Sequence, residues 1–270
     1  MLVDWIYNSP TWLVGAVIVA FFVAVAVAGL AIVHQLLSVK LRRQHNELVG
    51  FSIAVVGVIY AVLLAFIAVT TWETFRKADD VVAREANFVG DVYHDTVGLP
   101  DNLAVKLRGH LRDYVDIVIA NEWPAQQAGH LDEQSRLKGW QSLADFHDDI
   151  GRFRPANAGE AVLQAELLRT LNDLYNARRE RILAAEQHVA GVVWWIIALG
   201  ATLTVAHSYL FGMPNFKMHM LITAMLGASL AIVLVLIVAF DRPFRGSLSV
   251  SDDAFRAVRE RMDPASLGHH

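Results

Sequence analysis

Residues 49–96 read VGFSIAVVGVIYAVLLAFIAVTTWETFRKADDVVAREANFVGDVYHDT. The first half, to Trp72, contains no Asp, Glu, Lys or Arg. As a helix it is long enough to cross about 30 Å of hydrocarbon. The second half is charged, yet Phe75, Ala78, Val82, Ala86, Val89 and Tyr93 recur at spacings of three and four, the period of one buried helical face. No Gly or Pro separates the two halves. The stretch predicts a single helix of roughly 70 Å at 1.5 Å rise per residue, apolar where it begins and amphipathic where it ends.

Three further runs, 13–33, 189–211 and 218–240, are equally free of charged residues. Uniformly apolar runs of this length argue for membrane spans rather than buried helices of a soluble core. Asp4 stands where a signal peptide would carry basic residues, so 13–33 is expected to be a retained span. The predicted fold is an all-α membrane protein with four transmembrane helices. An all-helical soluble domain is inserted between the second and third, and two membrane helices continue into it. The expected divisions are a first transmembrane pair (1–72), the soluble domain (73–188), a second pair (189–240) and a C-terminal tail (241–270).

The soluble block shows helical periodicity throughout. Gly98-Leu99-Pro100 ends the long helix, and Asp101 is placed to cap the next one. That helix carries Leu103, Leu107, Leu111, Tyr114 and Val118, with Pro124 as its stop. Leu137, Trp140, Ala144 and His147 mark a third helix. Leu167, Leu168, Leu171, Leu174, Tyr175 and Ile182 form a stripe that runs without a break toward the third span.

Composition excludes several classes of function. Among the 270 residues, 55% are hydrophobic and none is Cys, which removes disulfides, thiolate catalysis and Cys-based metal sites. The net charge of −4, with no basic stripe, argues against nucleic acid as a partner. No G-x-S-x-G, Walker A, H-E-x-x-H or G-x-G-x-x-G occurs, so neither an enzyme nor a bound cofactor is expected. His147-Asp148-Asp149 lacks a matching nucleophile, and the acidic pairs lack the glycine turn of a calcium loop. Gly268-His269-His270 matches the remnant of an affinity tag, so those histidines carry no weight.

Four spans place both termini and the soluble block on one side. Counting every juxtamembrane charge, including Arg76, Lys77, Arg84, Arg178, Arg179, Arg181, Arg242 and Arg245, puts that side in the cytoplasm. Without the block's own charges the balance is nearly even, and the rule weakens for long loops. Trp5, Trp12, Trp72, Trp194 and Trp195 fall near one membrane face, as an aromatic belt would.

The second span carries a stripe of small residues: Gly50, Ala54, Gly57, Ala61, Ala65 and Ala68. Small residues let helix backbones approach closely in lipid. The stripe fits packing within the chain, or packing around the axis of an oligomer. Val56, Tyr60, Leu63 and Ile67 are the candidates for lining a narrow apolar constriction, which can gate ions by dewetting. No charged residue lies within a span, which argues against a proton-coupled pump. His34, His45, His207 and His219 lie toward one face, either as structural residues or as a metal or pH-sensing cluster.

Two short segments stand out. Glu122-Trp123-Pro124 closes a helix, and Asp241-Arg242-Pro243-Phe244-Arg245-Gly246 ends the last span. Pro243 breaks that helix. The second segment serves either as a terminator with an interface anchor or as a hinge to the soluble domain. Taken with Gly57 to Phe66, Trp72, Ala78, Glu85-Ala86, Leu99-Pro100 and Tyr114, these segments resemble, in their order, the bestrophin-like family of bacterial membrane proteins. The resemblance covers residues 36–255.

Bestrophins are pentameric anion channels with four spans per subunit and a pore lined by the second span. The resemblance therefore implies a bacterial inner-membrane homo-oligomer, a pentamer, whose partners are membrane lipids and small inorganic ions. The aromatic-rich neck and the acidic calcium clasp of true bestrophins are not recognisable here. Arg76 and Lys77, just outside the second span, would concentrate anions in a vestibule. The alternative is a non-conducting scaffold or sensor whose soluble domain binds a partner or ligand.

Overall fold

The computed structural model describes residues 2–130 and 133–263, so the terminal Gly268-His269-His270 and the end of the 241–270 tail lie outside the described residues. The described chain is helical, and four of its helices are long and apolar enough to cross a membrane. In order the helices are α1 (Leu2–Asn8), α2 (Thr11–Leu36), α3 (Val39–Arg43), α4 (Asn46–Asp95), α5 (Asp101–Ile117) and α6 (Trp123–Gln127). They continue with α7 (Glu133–Arg152), α8 (Ala158–Glu186), α9 (Gly191–Tyr209), α10 (Phe216–Phe240) and α11 (Asp253–Arg261). The chain forms two compact units. One contains the chain up to Thr74, His188–Arg242 and Gly246–Leu248. The other contains Phe75–Gln187, Pro243–Arg245 and the chain from Ser249.

The apolar unit is built from α2, the first half of α4, α9 and α10. Its small core joins Tyr60 and Leu64 of α4 to Ile197 and Ala201 of α9 and to Leu234 and Ile237 of α10. Many other apolar side chains of these helices are exposed, as lipid-facing residues of a spanning bundle must be. Trp5, Trp12, Trp72 and Trp195 are exposed, with Trp12 at 74% and Trp195 at 79%. At the α2–α3 corner Arg42 is buried, donating from Nη1 to the Tyr209 carbonyl at 2.8 Å and lying 3.0 Å from His34 Nδ1.

The polar unit has the larger core. It gathers Val82, Ala86 and Val89 of α4, Leu107, Leu111 and Tyr114 of α5, and Leu143, Phe146 and Ile150 of α7. Leu167, Leu171 and Leu174 of α8 and Phe255 and Val258 of α11 complete it. Burying each Val, Leu, Ile or Phe of this core is worth roughly 1.5–3 kcal/mol relative to exposure. The start of α8 is set locally: the Asn157 side chain accepts from Glu160 N–H at 3.0 Å, while the Glu160 carboxylate accepts from Ala156 N–H at 2.7 Å. This is a reciprocal capping arrangement.

The long helix runs unbroken from Asn46 to Asp95, followed by a 3-10 turn over Thr96–Gly98. The second expected continuation does not occur. Helix α8 stops at Glu186, and Gln187 and Ala190 are extended before α9 starts at Gly191. A tertiary partner accounts for the break, because the Asp241 carboxylate accepts from Val189 N–H at 2.6 Å. Pro124 also behaves differently from its expected role as a stop. It sits in the first turn of α6, directly after a π turn, and the chain stays helical through it to Gln127. Pro100, not Asp101, occupies the cap position of α5.

Candidate functional site

The membrane half of α4 has two faces. Toward α9, Tyr60 is 4% exposed and donates its hydroxyl to the Ile197 carbonyl at 2.8 Å. Gly200 makes this possible, because a Cβ there would overlap the Tyr60 ring. Leu63 and Ile67 pack against the same core, and Val56 is half-buried. The four residues expected to line a constriction therefore lie on or beside the inward face of the protomer, with Tyr60 fully committed to α9.

Among the described residues, the opposite face is exposed. Val55, Val58, Val62, Phe66 and Val69 are exposed, with Phe66 at 70%. Their spacings of three, four, four and three keep them on one side of the helix. The small stripe runs beside them. Ala54, Ala61 and Ala65 are exposed, Gly50, Gly57 and Ala68 are half-buried, and no atom lies within 4 Å of a Cβ built on Gly57. Ala54, Gly57, Ala61 and Ala65 are thus left unpacked by the described residues. Arg76 and Lys77, in the polar unit, are exposed.

A buried ion-pair network sits in the polar unit. Arg181 donates from Nε to Glu85 Oε2 at 2.7 Å and from Nη2 to Glu122 Oε2 at 2.7 Å. Arg178 donates from Nη2 to Glu122 Oε1 at 2.6 Å and to the Arg136 carbonyl at 3.1 Å. The Tyr114 hydroxyl donates to Glu85 and accepts from Arg178 Nη1 at 3.2 Å. All four charged side chains are at most 2% exposed. Two carboxylates balance two guanidiniums. The Arg178 guanidinium also lies 5.1 Å from the centroids of both the Tyr114 and Trp140 rings.

Local sequence positions each member. A π turn over Val118–Glu122 adds a residue to the helix and brings Glu122 and Trp123 inward together. Gly139 lets α7 approach, since a Cβ there would stand 2.6 Å from Arg178 Nη2 and 2.7 Å from Glu122 Oε1. Burial alone would raise the Glu122 carboxyl, but Arg181 and Arg178 more than offset it and hold the group below the usual range. Burial, reinforced by the Glu85 carboxylate, pushes the Tyr114 phenol up. Arg181 stays charged because Glu85 and Glu122 outweigh its desolvation.

Read from the sequence, Arg178 and Arg181 count only as juxtamembrane charge. The available signal is Glu85 and Glu122 on otherwise apolar faces, with two arginines three residues apart on one side of α8.

The Asp241 to Gly246 segment divides between the two units. In the apolar unit Asp241 accepts from Tyr7 OH at 2.9 Å and from Val189 N–H, and the Arg242 guanidinium lies 5.5 Å from the Tyr7 ring centroid. In the polar unit Pro243, Phe244 and Arg245 are buried, and Phe244 meets the Trp123 ring at 5.5 Å. Pro124, beside Trp123, is exposed. Among the described residues no three potential metal ligands gather. His34 faces Arg42, and His219 Nε2 lies 2.8 Å from the Ser208 carbonyl. Asp149 of the His147-Asp148-Asp149 run pairs with Lys106 and His110.

The family model described as the Bestrophin-like domain matches residues 20–255. No curated protein matches the sequence. Among solved structures, a leucine-to-threonine variant of a bacterial bestrophin homologue from Klebsiella pneumoniae is similar at 12% identity and TM-score 0.68, over 93% of this chain and 99% of that one. A second structure of a bestrophin homologue from that organism, solved by Zn-SAD phasing, is similar at 13% identity and TM-score 0.65, over 93% and 99%. A glycine-to-alanine variant of a membrane protein is similar at 13% identity and TM-score 0.66, over 93% and 100%. At these identities the likeness is one of fold.

Proposed function

The chain belongs to the bestrophin-like family, and from that premise we propose that it is an oligomeric ion channel with its pore along the second transmembrane helix. The observation that carries this reading is the free face of α4, where Val55, Val58, Val62, Phe66 and Val69, with Ala54, Ala61 and Ala65 of the small stripe, are exposed among the described residues. In a ring of subunits, a pentamer in this proposal, the small stripe packs against the neighbouring copy. Val55, Val58, Val62, Phe66 and Val69 then face the axis as an apolar constriction that gates by dewetting. The burial of Tyr60 supports giving the lining to this face rather than to the Val56, Tyr60, Leu63 and Ile67 side.

Anions are the favoured permeant species, because Arg76 and Lys77 stand exposed at the membrane exit of α4. The site of action is the bacterial inner membrane, with the polar unit in the cytoplasm. Asp241, joined to Tyr7 and Val189, and Phe244, packed on Trp123, support reading the Pro243 junction as a hinge in the chain where it leaves the last span.

Flux from liposomes tests the proposal. Purified protein should leak chloride faster than potassium, and Phe66→Ala should raise the rate. No leak of any ion at any pH or tension would replace the channel with an anchored scaffold or sensor.

A further inference from the structure

We propose that the cleft between the end of α4, α5 and α11 binds a small organic anion, a phosphate monoester or a carboxylate, through Arg108 and Arg261. The cleft has a volume of about 450 Å³, within the range of roughly 300–1,000 Å³ typical of small-ligand pockets. Asn87, Asp91, Tyr93 and His94 line one wall, with Arg108 and Arg261 on the others. All belong to the polar unit.

The charge of this cleft is unmatched. Several other arginines of the unit meet carboxylates: Arg84 meets Glu180, Arg259 meets Asp116, and Arg178 and Arg181 share two glutamates. Among the described residues, neither Arg108 nor Arg261 has a carboxylate oxygen within salt-bridge distance. Asp91 is the one carboxylate among the lining residues. A guanidinium without a carboxylate partner offers a planar fork of donors that suits phosphate or carboxylate.

The geometry is also preformed. Arg108 is half-buried, donates from Nε to Thr96 Oγ1 at 2.7 Å and lies over the Tyr93 ring at 5.3 Å. These contacts hold its head in place and leave its terminal nitrogens for a ligand. The Tyr93 hydroxyl donates to the Met262 carbonyl at 3.1 Å, and Arg112 donates to both Tyr93 and Met262. The end of α11 is thereby tied to the wall that Arg261 flanks. A site whose side chains are already ordered loses less entropy on binding. The Asn87 amide and His94 imidazole remain to select the uncharged part of the ligand.

The test is calorimetric titration of the full-length protein in lipid nanodiscs with inorganic phosphate, glycerol phosphate and citrate, and with chloride at matched ionic strength as the control. Saturable binding of at least one probe is expected. Arg108→Lys keeps the charge but loses the fork, and should weaken binding by about tenfold or more. Arg261→Ala, at an exposed position, should do the same without affecting folding. Arg152→Ala, outside the cleft, should leave binding unchanged. Absence of saturable binding at millimolar concentrations, heat that chloride reproduces, or full affinity in Arg261→Ala would each overturn the site.

Discussion

Arg181 holds Glu85 with two nitrogens, Nε to Oε2 at 2.7 Å and Nη2 to Oε1 at 3.2 Å, although the two residues are 96 positions apart. One lies on the long helix that begins in the apolar unit, the other near the end of α8. Both are wholly buried, so neither charge can turn to water when its partner is lost.

Glu85→Gln should therefore be costly. Removing one member of a buried pair typically destabilises by about 3–5 kcal/mol, because the remaining charge stays desolvated. Denaturant unfolding followed by circular dichroism should show this loss. Asp148→Asn, which breaks the exposed pair with Arg152, should change little. Equal effects from both substitutions would remove the network from the stability of the polar unit.

The network also predicts an acid limb. The Glu122 carboxyl is held below its ordinary value, so it binds fewer protons folded than unfolded. Its contribution is complete above the unfolded value and is lost as pH falls through the lowered one. Melting temperature should drop on acidification below the ordinary carboxylate range. Glu122→Gln should start lower and show a flatter acid limb. A parallel pH profile would assign the limb to other carboxylates.

Gly139 should tolerate no side chain. A Cβ there meets Arg178 and Glu122 at 2.6 and 2.7 Å, so Gly139→Ala must push the network apart at a cost of about 1–3 kcal/mol. Gly109, inside α5, has nothing within 4 Å of its Cβ. Gly109→Ala should gain roughly 0.5–1 kcal/mol from helix propensity. Thermal unfolding of the two variants should move in opposite directions.

The two faces of α4 should separate in conduction and stability. Tyr60→Phe removes the hydroxyl bonded to the Ile197 carbonyl and should cost about 1 kcal/mol with single-channel conductance unchanged. Val62→Ala should raise conductance at little cost to the protomer, since Val62 is exposed within it. Raised conductance in Tyr60→Phe, with none in Val62→Ala, would return the lining to the Tyr60 side.

Much of the fold was legible in local sequence. Four apolar runs matched the four long apolar helices, and the 3.6 period through Phe75–Tyr93 marked α4 past the membrane. The break between Glu186 and Gly191 was not legible, since no Gly or Pro precedes it and its partner Asp241 is 52 positions away from Val189. The orientation of α4 was equally hidden. Small and large apolar residues surround the helix, and hydrophobicity alone does not say which face meets a neighbour.

The sequence by itself determined that this chain is helical, that four stretches suit a bilayer, and that a charged helical block lies between the second and third. A spanning helix needs about twenty apolar residues in a row and satisfies its backbone within its own segment, so these constraints are local. Only the tertiary structure decided that Tyr60 turns inward while Val62 and Phe66 remain free, and that Glu85, Glu122, Arg178 and Arg181 cancel one another. Those outcomes depend on which distant side chain fills the space opposite, and a charge is tolerated in a core only where its partner arrives.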